Sequence, residues 1–270
     1  GYVTGGQIRH VGLVDVNVMG GSNVGGLVGE QWNGGIRDAQ VTGSVSGTNN
    51  VGGLVGSGHV SIKNAYANAS VSGVNNVGGL VGEGGNISNA YASGNVSGTS
   101  YVGGLVGMGG AGSNVSNAYA TGSVSGNKYV GGLVGYLSSS SDIKYTYAIG
   151  RVTGRATGTD EEPTDIGGLV GYRQGVGSIT MGSISNSYWN TDTTGQASSS
   201  GSSSSAGKTT VQLQQASTYT GWDLSTTWGM ATGTDGYVFY GMPTLQGVTP
   251  KAGYQYFDAG AGTADNPWVL

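Results

Sequence analysis

Apolar residues recur along this chain in short alternating runs, with no stripe at helical spacing. In residues 87–98, Ile-Ser-Asn-Ala-Tyr-Ala-Ser-Gly-Asn-Val-Ser-Gly, polar residues separate Ala90, Ala92 and Val96, the period of a strand buried on one face. The block returns at 36–47, 62–73, 115–126 and 143–154, with a degenerate copy at 8–20 and a last one opening at Ile184. Before each later copy stands a heptapeptide, Asn-Val-Gly-Gly-Leu-Val-Gly at 23–29, with close variants at 50–56, 76–82, 101–107, 129–135 and 165–171. Its leucines, Leu27, Leu54, Leu80, Leu105, Leu133 and Leu169, lie 27, 26, 25, 28 and 36 residues apart. Self-similarity at that period marks a stacked repeat. A unit of this size holds about three strands of 4 to 6 residues with glycine corners. The pattern therefore predicts an all-β chain, a parallel β-solenoid of about seven coils over residues 1–188, near 35 Å long at the usual strand spacing. A coil has no core alone and must bury its inner face against its neighbours.

Stacking aligns like side chains in columns. Asp38, Asn64, Asn89, Asn117 and Asn186 share one bend and are expected to form an amide ladder. Tyr66, Tyr91, Tyr119, Tyr147 and Tyr188 form a second column; alanines flank most of them, which places alanine inside and the rings outside. That column reads either as a structural stack or as an aromatic strip for sugar rings. From each leucine to the next Ile or Val the interval runs 9, 8, 7, 10, 10 and 15, so nearly all length variation falls at one corner, the exception being an acidic insertion at 155–164 on a different corner. Those loops must project from one edge of the rod. Trp32, His59, Tyr136, Tyr172 and Arg173 are the candidate ligand-binding residues there, because loops on a rigid scaffold carry function.

After Tyr188 the period is lost. Residues 189–250 contain a Ser/Gly-rich stretch at 196–207, read as a flexible loop, and an aromatic segment with Trp222, Trp228 and Tyr240 able to cover an open solenoid end. Residues 251–270 read as the start of a further module or a linker.

Composition narrows the classes. There are 57 glycines in 270 residues but no Gly-X-Y period, which excludes collagen. Ten scattered Lys and Arg and a formal net charge of −4 argue against nucleic acid. No apolar run of about 18 residues predicts membrane insertion, and no cysteine offers a disulfide or a thiolate ligand. The chain begins in mid-repeat, so we expect a piece of a longer protein whose export signal lies elsewhere.

The heptapeptide followed by Ile-Ser-Asn-Ala-Tyr-Ala-Ser-Gly-Asn-Val-Ser-Gly resembles the GLUG repeat of large bacterial surface proteins, including filamentous-haemagglutinin-like adhesins exported by two-partner secretion and some surface peptidases. Ser187-Tyr188-Trp189-Asn190-Thr191-Asp192, Gly221-Trp222-Asp223-Leu224 and Met242-Pro243-Thr244-Leu245 resemble that family's usual sequel to its repeats, and 262–270 resembles the opening of a further unit. The resemblance implies a right-handed β-helix in a secreted, very long adhesin with roles in attachment or biofilm. It brings no catalytic residue.

Candidate chemistry is sparse. His10 and His59 have no metal-pair spacing. Glu30 and Glu83 hold equivalent corners, but Ser57 stands between them, so no adjacent acid pair is expected. Asp160, Glu161, Glu162 and Asp165 could offer oxygens to calcium, although a charge run is usually a solvated loop. Asn-X-Ser sequons at Asn68, Asn86, Asn95 and Asn114 match chance. The expectation is a structural and adhesive segment of an exported surface protein, extracellular, not an enzyme, without cofactor or metal. Its partners would be glycans, matrix polysaccharide or a cell surface. The alternatives are a filament subunit associating end to end and, less favoured, an enzyme cleaving surface polymers.

Overall fold

The computed structural model describes residues 1–154, 165–175, 182–202, 206–230, 241–248 and the backbone of 255–258. The repeats form a parallel β-solenoid. One sheet has six strands, one per coil: Ser22–Gly25, Asn49–Gly52, Asn75–Gly78, Ser100–Gly103, Lys128–Gly131 and Ile166–Gly167. Six full turns result where the sequence suggested about seven; the first copy adds only strands Tyr2–Thr4 and Gln7–Met19, which pair onto the next coil. Six turns at about 4.8 Å make a stack about 29 Å long.

Register follows the repeat. Ile62, Ile87, Val115 and Ile143 lie over one another, as do Val71, Val96, Val124 and Val152. With the valines and leucines of the heptapeptide they form one continuous core along the axis. Ala65, Ala67, Ala90, Ala92, Ala118 and Ala120 are fully buried, so the alanines do face inward. Thr146 breaks the first alanine column, and its hydroxyl is buried with no partner.

Each heptapeptide is a narrow arch, and its glycines are required by contact. A Cβ at Gly52 would lie 2.0 Å from the Val55 carbonyl, and one at Gly131 would lie 2.0 Å from that of Val134. Side chains there would force apart the two strands of the arch. The arch tips stack through main-chain bonds such as Leu54 N–H to Leu80 O, 2.9 Å.

Two expectations about the carboxy-terminal part change. The Ser/Gly stretch is not a flexible loop in its described part, which closes the last coil. Gly168 N–H donates to Ser198 O at 2.9 Å and Ser200 N–H to Val170 O at 3.0 Å. Trp189, fully buried, continues the inner alanine column beyond Ala148 and lies against bare Gly168. An open solenoid end exposes main-chain groups, and a backbone-rich stretch satisfies them better than rings do. The aromatic segment, expected over that end, lies along the flank instead. Tyr66, Tyr119 and Tyr147 cluster with Tyr219, Trp222, Trp228, Met242 and Leu245. The stacked tyrosines offer a long apolar face there, and burying it supplies more hydrophobic stabilisation than covering an end would. At the other end, Gln255–Asp258 pairs in parallel with Gln7–Met19. The remainder of 251–270, Tyr240 and the acidic insertion at 155–164 lie outside the described residues.

Candidate ligand-binding edge

The loop corner does line one edge. In register along it stand Glu30, Ser57, Glu83, Met108, Tyr136 and Tyr172. Glu30 and Glu83 are therefore two coils apart with Ser57 between them. Across the mouth of the arch runs a second column, made by the first residues of the heptapeptides: Asn23, Asn50, Asn76, Tyr101 and Tyr129. All five have left-handed backbone, with φ of 55°, 52°, 53°, 57° and 55°. Asparagine tolerates that region; tyrosine rarely adopts it.

The lower coils satisfy this column as an amide ladder. Asn50 Nδ2 donates to Asn23 Oδ1 at 2.8 Å and Asn76 Nδ2 to Asn50 Oδ1 at 2.7 Å, while Asn23 Nδ2 donates to the Glu30 carboxylate at 2.7 Å. On the same coils Trp32 and His59 have ring centroids 5.0 Å apart, and the Trp32 indole N–H donates to Glu30. Asn23, Asn50 and Asn76 open successive heptapeptides, and the signal for this column is asparagine at a bend that needs left-handed backbone.

On the upper coils the ladder gives way to rings. Tyr101 lies 5.1 Å from Tyr129 and 5.6 Å from Tyr136; Tyr129 lies 4.8 Å from Tyr172; Tyr136 lies 5.6 Å from Tyr172. All four are half-buried. The Lys128 ammonium sits 5.0 Å over the Tyr129 ring. Partial burial, then the neighbouring phenols, raise the Tyr136 hydroxyl above its usual range. Asp165, next in this column, is also raised by burial, with Lys128 opposing.

Of the five expected edge residues, the structure thus joins Tyr136 with Tyr172 and Trp32 with His59, as two separate groups. Arg173 belongs to neither. Its guanidinium donates to Gly182 O and its backbone N–H to Ser200 Oγ at 3.0 Å, so it holds the closing rung.

The predicted ladders are made in different measure. Asn64 donates to Asp38 at 3.1 Å and Asn89 to Asn64 at 3.3 Å; Asn117 instead accepts from the Trp228 indole at 3.3 Å. Tyr66, Tyr91, Tyr119 and Tyr147 stack at 4.8 to 5.1 Å with planes within 4°. Tyr147 is fully buried and donates to Pro243 O at 2.7 Å. Desolvation first, then the next tyrosine, pushes Tyr119 and Tyr147 well above the usual phenol value.

Elsewhere, a cleft of about 450 Å³ between the last coil and the flank segment is lined by Asn186, Tyr188, Lys208 and Thr218, with Lys208 5.9 Å over Tyr188. His10 lies 3.5 Å from Asp38. Among the described residues no group of His, Cys, Asp and Glu is arranged to hold a metal, and no helix is long and apolar enough to cross a membrane.

No curated protein matches the sequence. A crystal structure of a putative immunoglobulin A1 protease from Bacteroides ovatus superposes with a TM-score of 0.54 at 22% identity, covering 82% of this chain and 70% of that one; the likeness is one of fold. The GLUG motif matches at residues 20–46 and 126–153. Each match runs from the corner before one arch or strand through a strand of the stack, and the solenoid accordingly contains a GLUG repeat region.

Proposed function

We propose that this chain is a structural and adhesive segment of an exported bacterial surface protein, a rigid stalk that binds glycan or matrix polymer along one loop edge. The observation that carries the reading is the coil-to-coil register, which shifts at Gly58/Ser61 and Leu13/Val16 but is kept along the variable edge: six stacked arches hold the residues from Glu30 to Tyr172 in a single line. A rod built this way extends by adding coils and presents its loops to one side. GLUG motifs and the solenoid fold support this reading.

Two other readings compete. Filament growth through the ends is disfavoured by the closed last coil, where Ser198 and Ser200 already occupy main-chain groups of Gly168 and Val170. The name of the Bacteroides ovatus protein points to peptide cleavage; on this chain the edge carboxylates Glu30 and Glu83 stand apart, and turnover of an immunoglobulin or peptide panel would be needed to support it. The test of the proposal is retention of the whole chain on bacterial cells, extracted biofilm matrix and immobilised polysaccharides. Retention on one of these supports adhesion; retention on none leaves only a spacer.

A further inference from the structure

The four tyrosines of the upper coils mark where on the edge a ligand sits. We infer that Tyr101, Tyr129, Tyr136 and Tyr172 form a platform for a neutral, unbranched hexopyranose chain lying along the rod axis, an assignment that rests on the adhesive reading above.

Three features point there. The first is backbone strain at the two residues that begin the arches. The repeat places Asn at this bend in coils 1 to 3, where it suits φ near 55° and extends a ladder. Tyr101 and Tyr129 hold the same left-handed backbone without that hydrogen bonding, at about 1 kcal/mol or more each. Tyr145 holds the same φ of 55° at the bend of the flank column, packed on Trp222, so strain marks a cost to the fold in both places. What sets Tyr101 and Tyr129 apart is that, among the described ring contacts, no other segment packs on them as Trp222 does on Tyr145.

The second feature is shape. The ring centroids lie 4.8 to 6.2 Å apart, so the rings touch one another and enclose no space. That excludes an aromatic cage for a quaternary ammonium, which needs rings standing around a cavity. What remains is a half-buried cluster of tilted rings, with planes 25° to 75° apart, whose outward edges and uncovered faces offer apolar contact to the C–H face of a sugar ring. The Lys128 ammonium caps one face of the Tyr129 ring and offers N–H donors to sugar hydroxyls there.

The third feature is period and charge. Tyr101 to Tyr129 and Tyr136 to Tyr172 step by one coil each within their columns, 5.1 and 5.6 Å, a length of the same order as one sugar unit in an extended chain. A ligand along the axis therefore meets equivalent contacts at successive units. The net charge of −4, with Asp165 beside the platform and Glu83 farther down the edge, disfavours an acidic polymer.

The test is calorimetric titration of the whole chain with cellohexaose and maltohexaose, against polygalacturonate as the acidic probe. Binding of a neutral hexasaccharide is expected, weakened about tenfold or more in Tyr136→Ala and in Tyr172→Ala. Tyr136→Phe keeps the ring face and should stay within about threefold of the parent. Circular dichroism and a thermal melt of each variant establish that it is folded. Equal binding by parent and Ala variants, preference for polygalacturonate, or tyrosine-dependent dimers in the ultracentrifuge would each overturn the platform. If the chain is retained on matrix or cells but binds neither hexasaccharide, the platform fails while adhesion stands; if it is retained on nothing, both fail.

Discussion

Two tyrosine columns run along the same solenoid and have opposite fates. Tyr66, Tyr91, Tyr119 and Tyr147 rise from regular strand backbone and stack within 4° of parallel, and Tyr119 and Tyr147 lie against Trp228, Tyr147 also against Trp222. Tyr101 and Tyr129 sit at a left-handed bend, tilt by 40° to one another and meet Tyr136 and Tyr172 half-buried on the loop edge. Coil stacking produces a column in either place. Whether the column is structural depends on what the rest of the chain lays over it.

The largest expected effect is on the covered column. Tyr147→Ala removes a fully buried ring and its bond to Pro243 O, and should lower stability by about 3–5 kcal/mol in urea unfolding. Tyr136→Ala, on the open edge, should cost less than about 1 kcal/mol. Similar losses for the two would erase the distinction.

Alkaline pH should separate the columns next. The folded-state values of Tyr119 and Tyr147 lie above the ordinary phenol value of 10.0, so the folded chain holds protons that the unfolded chain releases. Their contribution is full below pH 10 and is lost as pH rises beyond it toward the folded-state values. Thermal midpoints should fall steeply above about pH 10 in the parent and less so in Tyr147→Phe, which has no proton to lose there.

Smaller effects are expected at the bend itself. Asn50→Ala loses two ladder bonds and keeps φ of 52°, a cost of about 1–2 kcal/mol, whereas Asn50→Gly should cost less because glycine accepts that backbone. Tyr101→Asn would add a rung above Asn76 and relieve strain. It should raise stability by about 0.5–1 kcal/mol while weakening saccharide binding. A variant that is both less stable and unchanged in binding would remove the strain from the case for the platform.

Much of this architecture could be read from residues alone. The 25 to 28-residue period, alanine inside and tyrosine outside, and the single variable edge all follow from alternation and spacing, since stacked coils leave each position one neighbour above and one below. Tyr136 and Tyr172 were legible because they occupy the variable corner. Their partners Tyr101 and Tyr129 were not, because they open the heptapeptide and align with asparagines; only coordinates show the two columns facing across the arch. Arg173 looked like an edge residue for the same positional reason, and its bond to Gly182 depends on how the longest loop returns. The place of Trp222 and Trp228 was hidden too: an aromatic segment seeks apolar surface, and sequence did not reveal that the flank offered more of it than the end.

The contrast between the columns can be measured most directly by nitrating the folded chain with tetranitromethane and mapping modified tyrosines by mass spectrometry. We expect Tyr136 and Tyr172 to react first and Tyr119 and Tyr147 to be spared until the protein unfolds. Modification of Tyr147 as fast as Tyr136 in the folded chain would show that nothing covers the inner column, and the division between a structural stack and an open binding platform would be lost.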